Sequence, residues 1–271
     1  MQADEEALLS ARELQKTIGD IPANSQKLAP EPHGVGADDS LSSVAYDKGS
    51  WFLRTLEQRF GRETFDTYLK GYFAHFAFQI IDTETMFAYM KANLLDKYPG
   101  KMSEAEAREW IWQPGIPKNA PLPSSPRFDA IDKERTDFLA GTLDAAKLDA
   151  KSWNTQEWMY FLDRLPDVTP LDRIKAIDAA WHLTGTPNAE IGMRWYSHAI
   201  AAGDKDVWTA AAEHITRIGR MYLSMPIYRA FARTPEGLAF AKDVYAKAKS
   251  GYHPLTQQAV ERILAGKSKK K

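Results

Sequence analysis

Three features are missing from this 271-residue chain, and each absence excludes a class of protein. It contains no cysteine, which excludes disulfides, thiolate zinc sites and cysteine nucleophiles but leaves the redox compartment open. No apolar run reaches the roughly 18 to 20 residues of a membrane span, so we expect a soluble protein of the cytoplasm or the periplasm. Lys and Arg number 35 against 36 Asp and Glu, and this balance offers no basic field for nucleic acid.

Histidine spacing argues against a metal centre in the chain itself. The six histidines include no pair four residues apart, the spacing that places two zinc ligands on one face of a helix. His182, His198 and His214 recur every 16 residues, but 16 residues rotate a helix by about 160°, so they cannot share one face. A nucleophile elbow and a Walker loop are also missing. We therefore assign no metal ligand to this chain.

Helical periodicity covers almost the whole chain, and no convincing strand pattern interrupts it. Apolar residues recur on one helical face in three N-terminal segments, which surround Leu14, Leu56 and Tyr72. Further helices are predicted to begin at Asp82 or Thr83 and at Ser103, where the local sequence has capping-box form. Residues 78–81 are the best strand candidate, but we assign them to a connection because both neighbouring segments are helical.

Proline marks the clearest domain boundary. The stretch from Gln113 to Phe128 holds five prolines, so it sustains neither a helix nor a central strand. After it, caps and breakers predict six to eight antiparallel helices in a layered arrangement. The sequence therefore predicts an all-α chain with a first helical part at 1–112, a linker at 113–128 and a helical domain at 129–271.

One segment, from Asp38 to Glu57, stands out for its motif. It contains the run Tyr46-Asp47-Lys48-Gly49, followed by an apolar helix that ends in Leu-Glu. This pattern resembles the catalytic-tyrosine segment of the leukotriene A4 hydrolase and aminopeptidase N-like zinc metallopeptidases. Residues 110–117 resemble the interdomain Trp-x-x-x-Pro-Gly-(Leu/Ile)-Pro segment of the leukotriene hydrolase branch. Residues 219–228 and 253–256 resemble two stretches of its C-terminal helical domain.

The resemblance implies both a fold and a division of labour. Residues 1–112 would be the C-terminal helices of a thermolysin-like catalytic domain, and residues 129–271 an armadillo/HEAT-like layered helical domain. In that family the zinc ligands and the segment that binds the substrate amine precede the tyrosine. The resemblance therefore implies a zinc cofactor held upstream, in catalytic and N-terminal domains of the same polypeptide that are the partners of this chain. We expect the chain by itself to be inactive.

Three residues match positions with a site role in the family. Tyr46 matches the tyrosine that donates a hydrogen bond to the developing oxyanion, a role that suits a side chain whose ordinary pKa near 10 keeps it neutral. Asp38 matches an acidic pocket residue that is linked to epoxide hydrolysis and substrate positioning. Arg220 matches an arginine that resembles the anchor of the substrate carboxylate, for which a guanidinium has the right geometry.

Two positions depart from the leukotriene hydrolase branch. Leu41 stands where that branch has a pocket tyrosine, and Tyr222 stands where a lysine is common. The resemblance therefore implies hydrolysis of peptide substrates in preference to hydrolysis of a lipid epoxide. The alternative is a stand-alone helical scaffold without catalysis, because layered helices make good interaction surfaces. An in-frame His-Glu-x-x-His helix upstream of the chain distinguishes the two.

Overall fold

The structure is a computed structural model that describes residues 2–31 and 43–266. All regular secondary structure in these residues is helical, which confirms the predicted all-α class. The chain divides into two compact units, Met1–Ser124 (unit 1) and Ser125–Lys271 (unit 2). None of the helices in the described ranges combines the length and the apolar composition that crossing a bilayer requires.

Unit 1 contains five α-helices in the part of the chain that the structure describes. In chain order its elements are α1 (Gln2–Asp20), a 3₁₀ turn (Ala23–Gln26), α2 (Val44–Phe60), α3 (Arg62–His75), α4 (Thr83–Met90), a π-helical turn (Lys91–Leu95) and α5 (Glu104–Trp112). Both predicted helix starts are confirmed. The Asp82 carboxylate accepts a hydrogen bond from the N–H of Thr85, and Ser103 forms a capping box with Glu106. Residues 78–81 connect α3 to α4 without a strand.

The core of unit 1 forms where α2 meets its neighbours. Helix α2 packs against α1 and α3, and its Phe52 ring stacks on Trp110 of α5 with 5.5 Å between ring centroids. The segment after α5 also packs on this core, because Nε1 of Trp51 donates a hydrogen bond of 2.8 Å to the carbonyl oxygen of Pro121. Much of the proline-rich stretch therefore belongs to unit 1.

Helix α6 (Pro126–Ala140) begins inside the stretch that the sequence assigns to a linker. Ser125 caps this helix, since its hydroxyl accepts a hydrogen bond of 3.4 Å from the N–H of Phe128. Pro126 occupies the first helical position, where its missing N–H costs nothing and its fixed φ favours the helix. The proposed linker, residues 113–128, thus overlaps the first turn of α6. The assignment of the two units to the family's domains stays a prediction.

Unit 2 contains eight α-helices in its described residues. After α6 come α7 (Thr155–Asp163), α8 (Leu171–Trp181), α9 (Ala189–Ala201), α10 (Trp208–Arg217), α11 (Met221–Phe231), α12 (Pro235–Ala248) and α13 (Pro254–Leu264), with 3₁₀ turns at Ala145–Lys147, Ala150–Ser152 and Lys249–Gly251. Helices α7, α9, α11 and α13 pack successively in one row, and α10 packs on α12 in a second row. This arrangement confirms the layered helical architecture of unit 2.

Candidate functional site

Tyr46 lies in the first turn of α2 with its ring in solvent. Its side chain is 80% exposed, and its hydroxyl makes no hydrogen bond to any residue in the described ranges. The backbone N–H of Tyr46 donates to the carbonyl oxygen of Ser43 at 2.9 Å. Ser43 is the N-cap residue, but its side chain accepts no hydrogen bond from the first turn. With respect to the described residues, the phenol hydroxyl is therefore available to an external acceptor.

An open groove of about 510 Å³ borders Tyr46 between α1 and α2. Polar contacts join these helices across the groove, including a hydrogen bond of 3.2 Å from Arg54 to the carbonyl oxygen of Ala3. The Ser10 hydroxyl donates to the Asp47 carboxylate at 2.7 Å, and the Arg54 guanidinium donates to the Asp4 carboxylate at 3.0 Å. The groove falls within the size range of ligand pockets, roughly 300 to 1,000 Å³. Tyr46 thus lies at the edge of a groove between two helices that are connected by hydrogen bonds.

Lys48, two residues after Tyr46, is fully buried. Its Nζ donates hydrogen bonds to the carbonyl oxygens of Gln113 at 2.7 Å and Gln26 at 3.2 Å. Burial lowers the pKa of Lys48 to about 8, although the carboxylate of Glu109 acts in the opposite direction. Family resemblance identifies Lys48 only as part of the motif, whereas the structure shows it as a structural cation on the buried side of α2, the helix that also carries Tyr46.

Two of the three predicted site residues can be described, and they lie in separate units. Tyr46 belongs to unit 1 and Arg220 to unit 2. Asp38 lies outside the described residues, as does Leu41. The role assigned to Asp38 therefore stays a prediction.

Arg220 lies immediately before α11, as its N-cap residue. Its carbonyl oxygen accepts hydrogen bonds from the N–H and the hydroxyl of Ser224, at 3.1 and 2.9 Å. Its side chain is exposed, and its guanidinium carbon lies 5.9 Å from the centroid of the Tyr222 ring. Within the described ranges, Arg220 forms no ion pair. The guanidinium is thus placed beside an aromatic ring and is available to an anionic group.

A second arginine fixes the ring beside Arg220. Nη2 of Arg194, on α9, donates to the Tyr222 hydroxyl at 3.4 Å. Arg194 is buried and forms ion pairs of 2.8 Å with both Asp163 and Glu190. Burial alone would lower the pKa of Arg194, but the two carboxylates outweigh it and raise that pKa. Tyr222, where the family commonly has a lysine, is therefore linked to a buried charge network.

His214 is the most deeply buried histidine that the structure describes. It is 3% exposed, and its Nε2 has no hydrogen-bond partner in the described residues. The ring fits closely against Gly192 of α9, where an added Cβ would lie 2.6 Å from its Cε1. Burial, and secondarily the charge of Arg217, lower the pKa of His214 to about 4. A cavity of about 220 Å³ lies beside it, lined also by Tyr196 and Glu213.

A zinc centre does not fit the described residues. No group of three or more His, Asp or Glu side chains within residues 2–31 and 43–266 could hold a metal ion, whereas protein zinc sites use three or four such ligands. His182, His198 and His214 lie on different elements: His182 ends α8, while the other two belong to α9 and α10. No catalytic step is therefore assigned to a metal held by these residues.

Comparison with known proteins identifies the helical unit. Residues 153–264 match the family model described as leukotriene A4 hydrolase, C-terminal. The chain is 30% identical over 257 residues to leucine aminopeptidase 2 of Sclerotinia sclerotiorum, covering 88% of this chain and 40% of the relative. It is 28% identical to leukotriene A-4 hydrolase of Xenopus laevis in an alignment of 274 residues that covers 95% of this chain and 44% of the relative.

The fold comparison agrees with the sequence comparison. Native leukotriene A4 hydrolase from Saccharomyces cerevisiae superimposes with a TM-score of 0.81 at 21% identity, over 97% of this chain and 46% of that one. The chain thus spans about two fifths of the length of the curated relatives that it matches, 40% for the Sclerotinia protein. With the layered helices of unit 2, these matches show that the chain belongs to the leukotriene A4 hydrolase family.

Proposed function

We propose that this chain supplies the oxyanion-binding tyrosine of a peptide-cleaving aminopeptidase, and that Tyr46 is that residue. The observation that carries the proposal is the exposed phenol of Tyr46, with no hydrogen-bond partner in the described residues, at the edge of the groove between α1 and α2. Relatives named leucine aminopeptidase support the same activity. Their names also favour peptide substrates with an apolar N-terminal residue.

In this proposal, Tyr46 acts as a hydrogen-bond donor to the developing oxyanion. Attack on a peptide carbonyl moves negative charge onto the carbonyl oxygen, and a fixed neutral O–H donor stabilises that charge as it develops. A single donor of this kind typically contributes about 10² to 10³-fold to kcat. The rate effect depends on placing the hydroxyl where the oxyanion forms, so the position of the first turn of α2 matters as much as the phenol itself.

The remaining parts of the active site are proposed to come from elsewhere in the polypeptide. Zinc, which the family resemblance implies, would polarise the scissile carbonyl and activate water; its ligands would lie outside the residues described. Asp38 is proposed to line the substrate pocket. Arg220 is proposed to hold the terminal carboxylate of the peptide, which a guanidinium can bind in a bidentate manner.

Removal of the Tyr46 hydroxyl tests this function. Tyr46→Phe in the full-length polypeptide that contains this chain keeps the ring and loses one transition-state donor. We expect kcat for leucyl-p-nitroanilide to fall about 10² to 10³-fold, with KM within about twofold of wild type. Steady-state kinetics and circular dichroism of both proteins measure the effect and the folding.

Tyr98→Phe is the matched control. Tyr98 is also an exposed tyrosine of unit 1, at 42%, and its ring packs edge-on against Phe60, so kcat should stay within about twofold. Retention of more than about a third of kcat in Tyr46→Phe would show that the tyrosine is structural. In that case the oxyanion role is wrong.

A scaffold without catalysis is the second candidate, and one surface favours it. Three large apolar side chains near the α3–α4 connection face solvent: Phe73 at 68%, Phe78 at 111% and Ile80 at 102%. Clustered exposed apolar side chains often mark contacts with another protein surface. A full-length polypeptide that binds other proteins and hydrolyses no aminoacyl anilide would favour this function over the first.

A further inference from the structure

The first turn of α2 is held from its buried side. Val44 and Lys48, four residues apart, are both fully buried on that side. Two residues of α-helix correspond to a rotation of about 200°, so Tyr46 lies on the opposite, exposed side from Lys48. Any movement of the buried side therefore moves the phenol with it.

Lys48 joins two segments that are distant in sequence. Its acceptors, the carbonyl oxygens of Gln26 and Gln113, are 22 and 65 residues away. These two segments are also bonded to each other, because the N–H groups of Leu28 and Ala29 donate to the carbonyl oxygen of Ile111 at 3.0 and 3.1 Å. We call this arrangement the lysine junction, meaning Lys48 with the backbone of residues 26–29 and 111–113.

The lysine junction gives Lys48 a role that an apolar side chain could not fill. Burial of an ammonium group is unfavourable, and here it lowers the pKa of Lys48 to about 8. A methionine of similar length would be buried at lower cost. What the lysine adds is a donor for two carbonyl groups. One of them, that of Gln113, lies at the C-terminal end of α5, where a cation also suits the helix dipole.

At the start of α2, two side chains do not restrain the turn by hydrogen bonds within the described residues. The N-cap side chain of Ser43 accepts no hydrogen bond. The phenol of Tyr46 makes no hydrogen bond to a described residue, so its own side chain does not anchor the turn. On the exposed side, the bond from Ser10 to Asp47 is the polar tie to α1 at this turn. The lysine junction is thus a polar restraint on the buried side of the turn.

We propose that Lys48 is a positioning residue for Tyr46: its two hydrogen bonds fix the first turn of α2 and thereby the place of the phenol hydroxyl. The proposal rests on the proposed function of Tyr46 for its catalytic consequence. The structural part, that Lys48 holds this turn, stands independently of any activity.

A double-mutant cycle in the full-length polypeptide tests the catalytic part. Lys48→Met should lower kcat for leucyl-p-nitroanilide at least tenfold, with KM within about twofold, because the donor is displaced while substrate binding persists. If Lys48 acts through Tyr46, Lys48→Met should cause less than a threefold further loss in the Tyr46→Phe background. Unchanged kcat in the single variant, or losses that multiply in the double variant, would overturn the proposal.

Trp51→Phe is the control for simple loss of packing. It removes another hydrogen bond from the same buried side of α2, to the carbonyl oxygen of Pro121, nearly one turn further along the helix. We expect its kcat to stay within about threefold. Should Lys48→Met fail to fold, Lys48→Gln carries the same test, since its shorter amide reaches at most one carbonyl.

Hydrogen exchange tests the structural part without any assay of activity. In the 271-residue chain, Lys48→Met should speed amide exchange in the peptide that covers residues 43–50 at least tenfold, and Trp51→Phe should not. Unchanged exchange in Lys48→Met overturns the positioning role. The two tests can also give different answers. If Lys48→Met exchanges faster but the wild-type full-length polypeptide hydrolyses no peptide, the positioning role is supported and only the proposed function is contradicted.

Discussion

The two units each hold a buried cation near a candidate substrate-contact residue, and they hold it by different means. In unit 1, the Lys48 ammonium group has only backbone carbonyl oxygens as hydrogen-bond acceptors among the described residues. In unit 2, the Arg194 guanidinium is paired with the carboxylates of Asp163 and Glu190. The pKa of Lys48 is lowered to about 8, mainly by burial, whereas that of Arg194 is raised because its carboxylates outweigh burial.

This difference shows what each cation contributes. Carbonyl groups are neutral dipoles and compensate only part of the free-energy cost of removing an ammonium group from water. Lys48 therefore fixes the position of α2 at some cost in the folding stability of unit 1. For Arg194, the paired carboxylates offset the cost of desolvation. Removal of Arg194 would leave these two negative charges without their partner. We therefore expect unit 2 to depend on its cation for stability and unit 1 to depend on its cation for the position of α2.

Arg194→Met gives the largest expected change in stability. Breaking a buried ion pair by removing one partner typically costs about 3 to 5 kcal/mol. The carboxylates of Asp163 and Glu190 are 39% and 33% exposed, so we expect the lower end, about 3 kcal/mol. Hydrogen exchange of α7 and α9 during urea titration measures the effect within unit 2.

Lys205→Met is the control for Arg194→Met. Lys205 and Glu236 form an ion pair of 2.6 Å whose side chains are 61% and 63% exposed, and such pairs contribute about 1 kcal/mol or less. We expect Arg194→Met to lose more stability than Lys48→Met does in unit 1. If its loss is no larger, the two buried cations do not differ in the way argued above.

Acid should destabilise unit 2 through His214. Its pKa falls from 6.5 to about 4 on folding, so the unfolded chain takes up a proton first as pH decreases. The contribution of neutral His214 to the free energy of unfolding is present above pH 6.5 and is lost as pH falls towards 4. The loss amounts to about 2 kcal/mol between pH 7 and pH 5. Burial also lowers the pKa of His198, in the same unit, so part of the pH dependence will remain in any single variant. Denaturation of the 271-residue chain at several pH values measures the effect.

In His214→Leu, the decrease in the free energy of unfolding between pH 7 and pH 5 should be smaller than in wild type by about 2 kcal/mol. The charged and titratable groups that line the cavity beside His214 are Tyr196 of α9 and Glu213 and Arg217 of α10, and all remain in this variant. His75→Leu makes the same substitution at an exposed histidine of unit 1 and serves as the comparison variant. An identical pH profile for wild type and His214→Leu would show that His214 does not link protonation to folding.

Much of the fold follows from the sequence because helix signals are local. The capping box at Ser103 and the aspartate cap at Asp82 depend on residues three positions apart, and both are present in the structure. Proline content was a less reliable signal, because Pro126 begins α6 although residues 113–125 of the same proline-rich stretch are not helical. A proline has opposite effects at the first position and in the interior of a helix, and composition alone does not distinguish them.

The candidate site was predictable only in part, because its supports are not local. Tyr46 and Arg220 follow from motifs, but the partners of Lys48 lie up to 65 residues away and are backbone atoms without a sequence signature. One signal was available: Lys48 follows Val44 by four residues and precedes Trp51 by three, which places a charge on the apolar side of an amphipathic helix. The link from Arg194 to Tyr222 had no comparable signal.

The smallest expected effect concerns Arg220, which in unit 2 occupies a position comparable to that of Tyr46, exposed at the start of a helix. A guanidinium bound to a carboxylate contributes about 1.5 to 3 kcal/mol, and 1.4 kcal/mol corresponds to tenfold in kcat/KM. We therefore expect Arg220→Ala in the full-length polypeptide to lower kcat/KM for a free-carboxylate tripeptide about tenfold. An amino-acid anilide has no terminal carboxylate, so its hydrolysis should be spared.

Two comparisons decide whether Arg220 contacts the substrate. Arg229→Ala removes another exposed arginine from the same helix, α11, and should change kcat/KM for neither substrate by more than about twofold. The Tyr222 ring lies beside Arg220, and its hydroxyl accepts a hydrogen bond from buried Arg194. A purely structural role for Arg220 therefore predicts that its truncation disturbs α11 as a whole. Such a disturbance would lower activity on tripeptide and anilide equally, and that result would remove Arg220 from the substrate site.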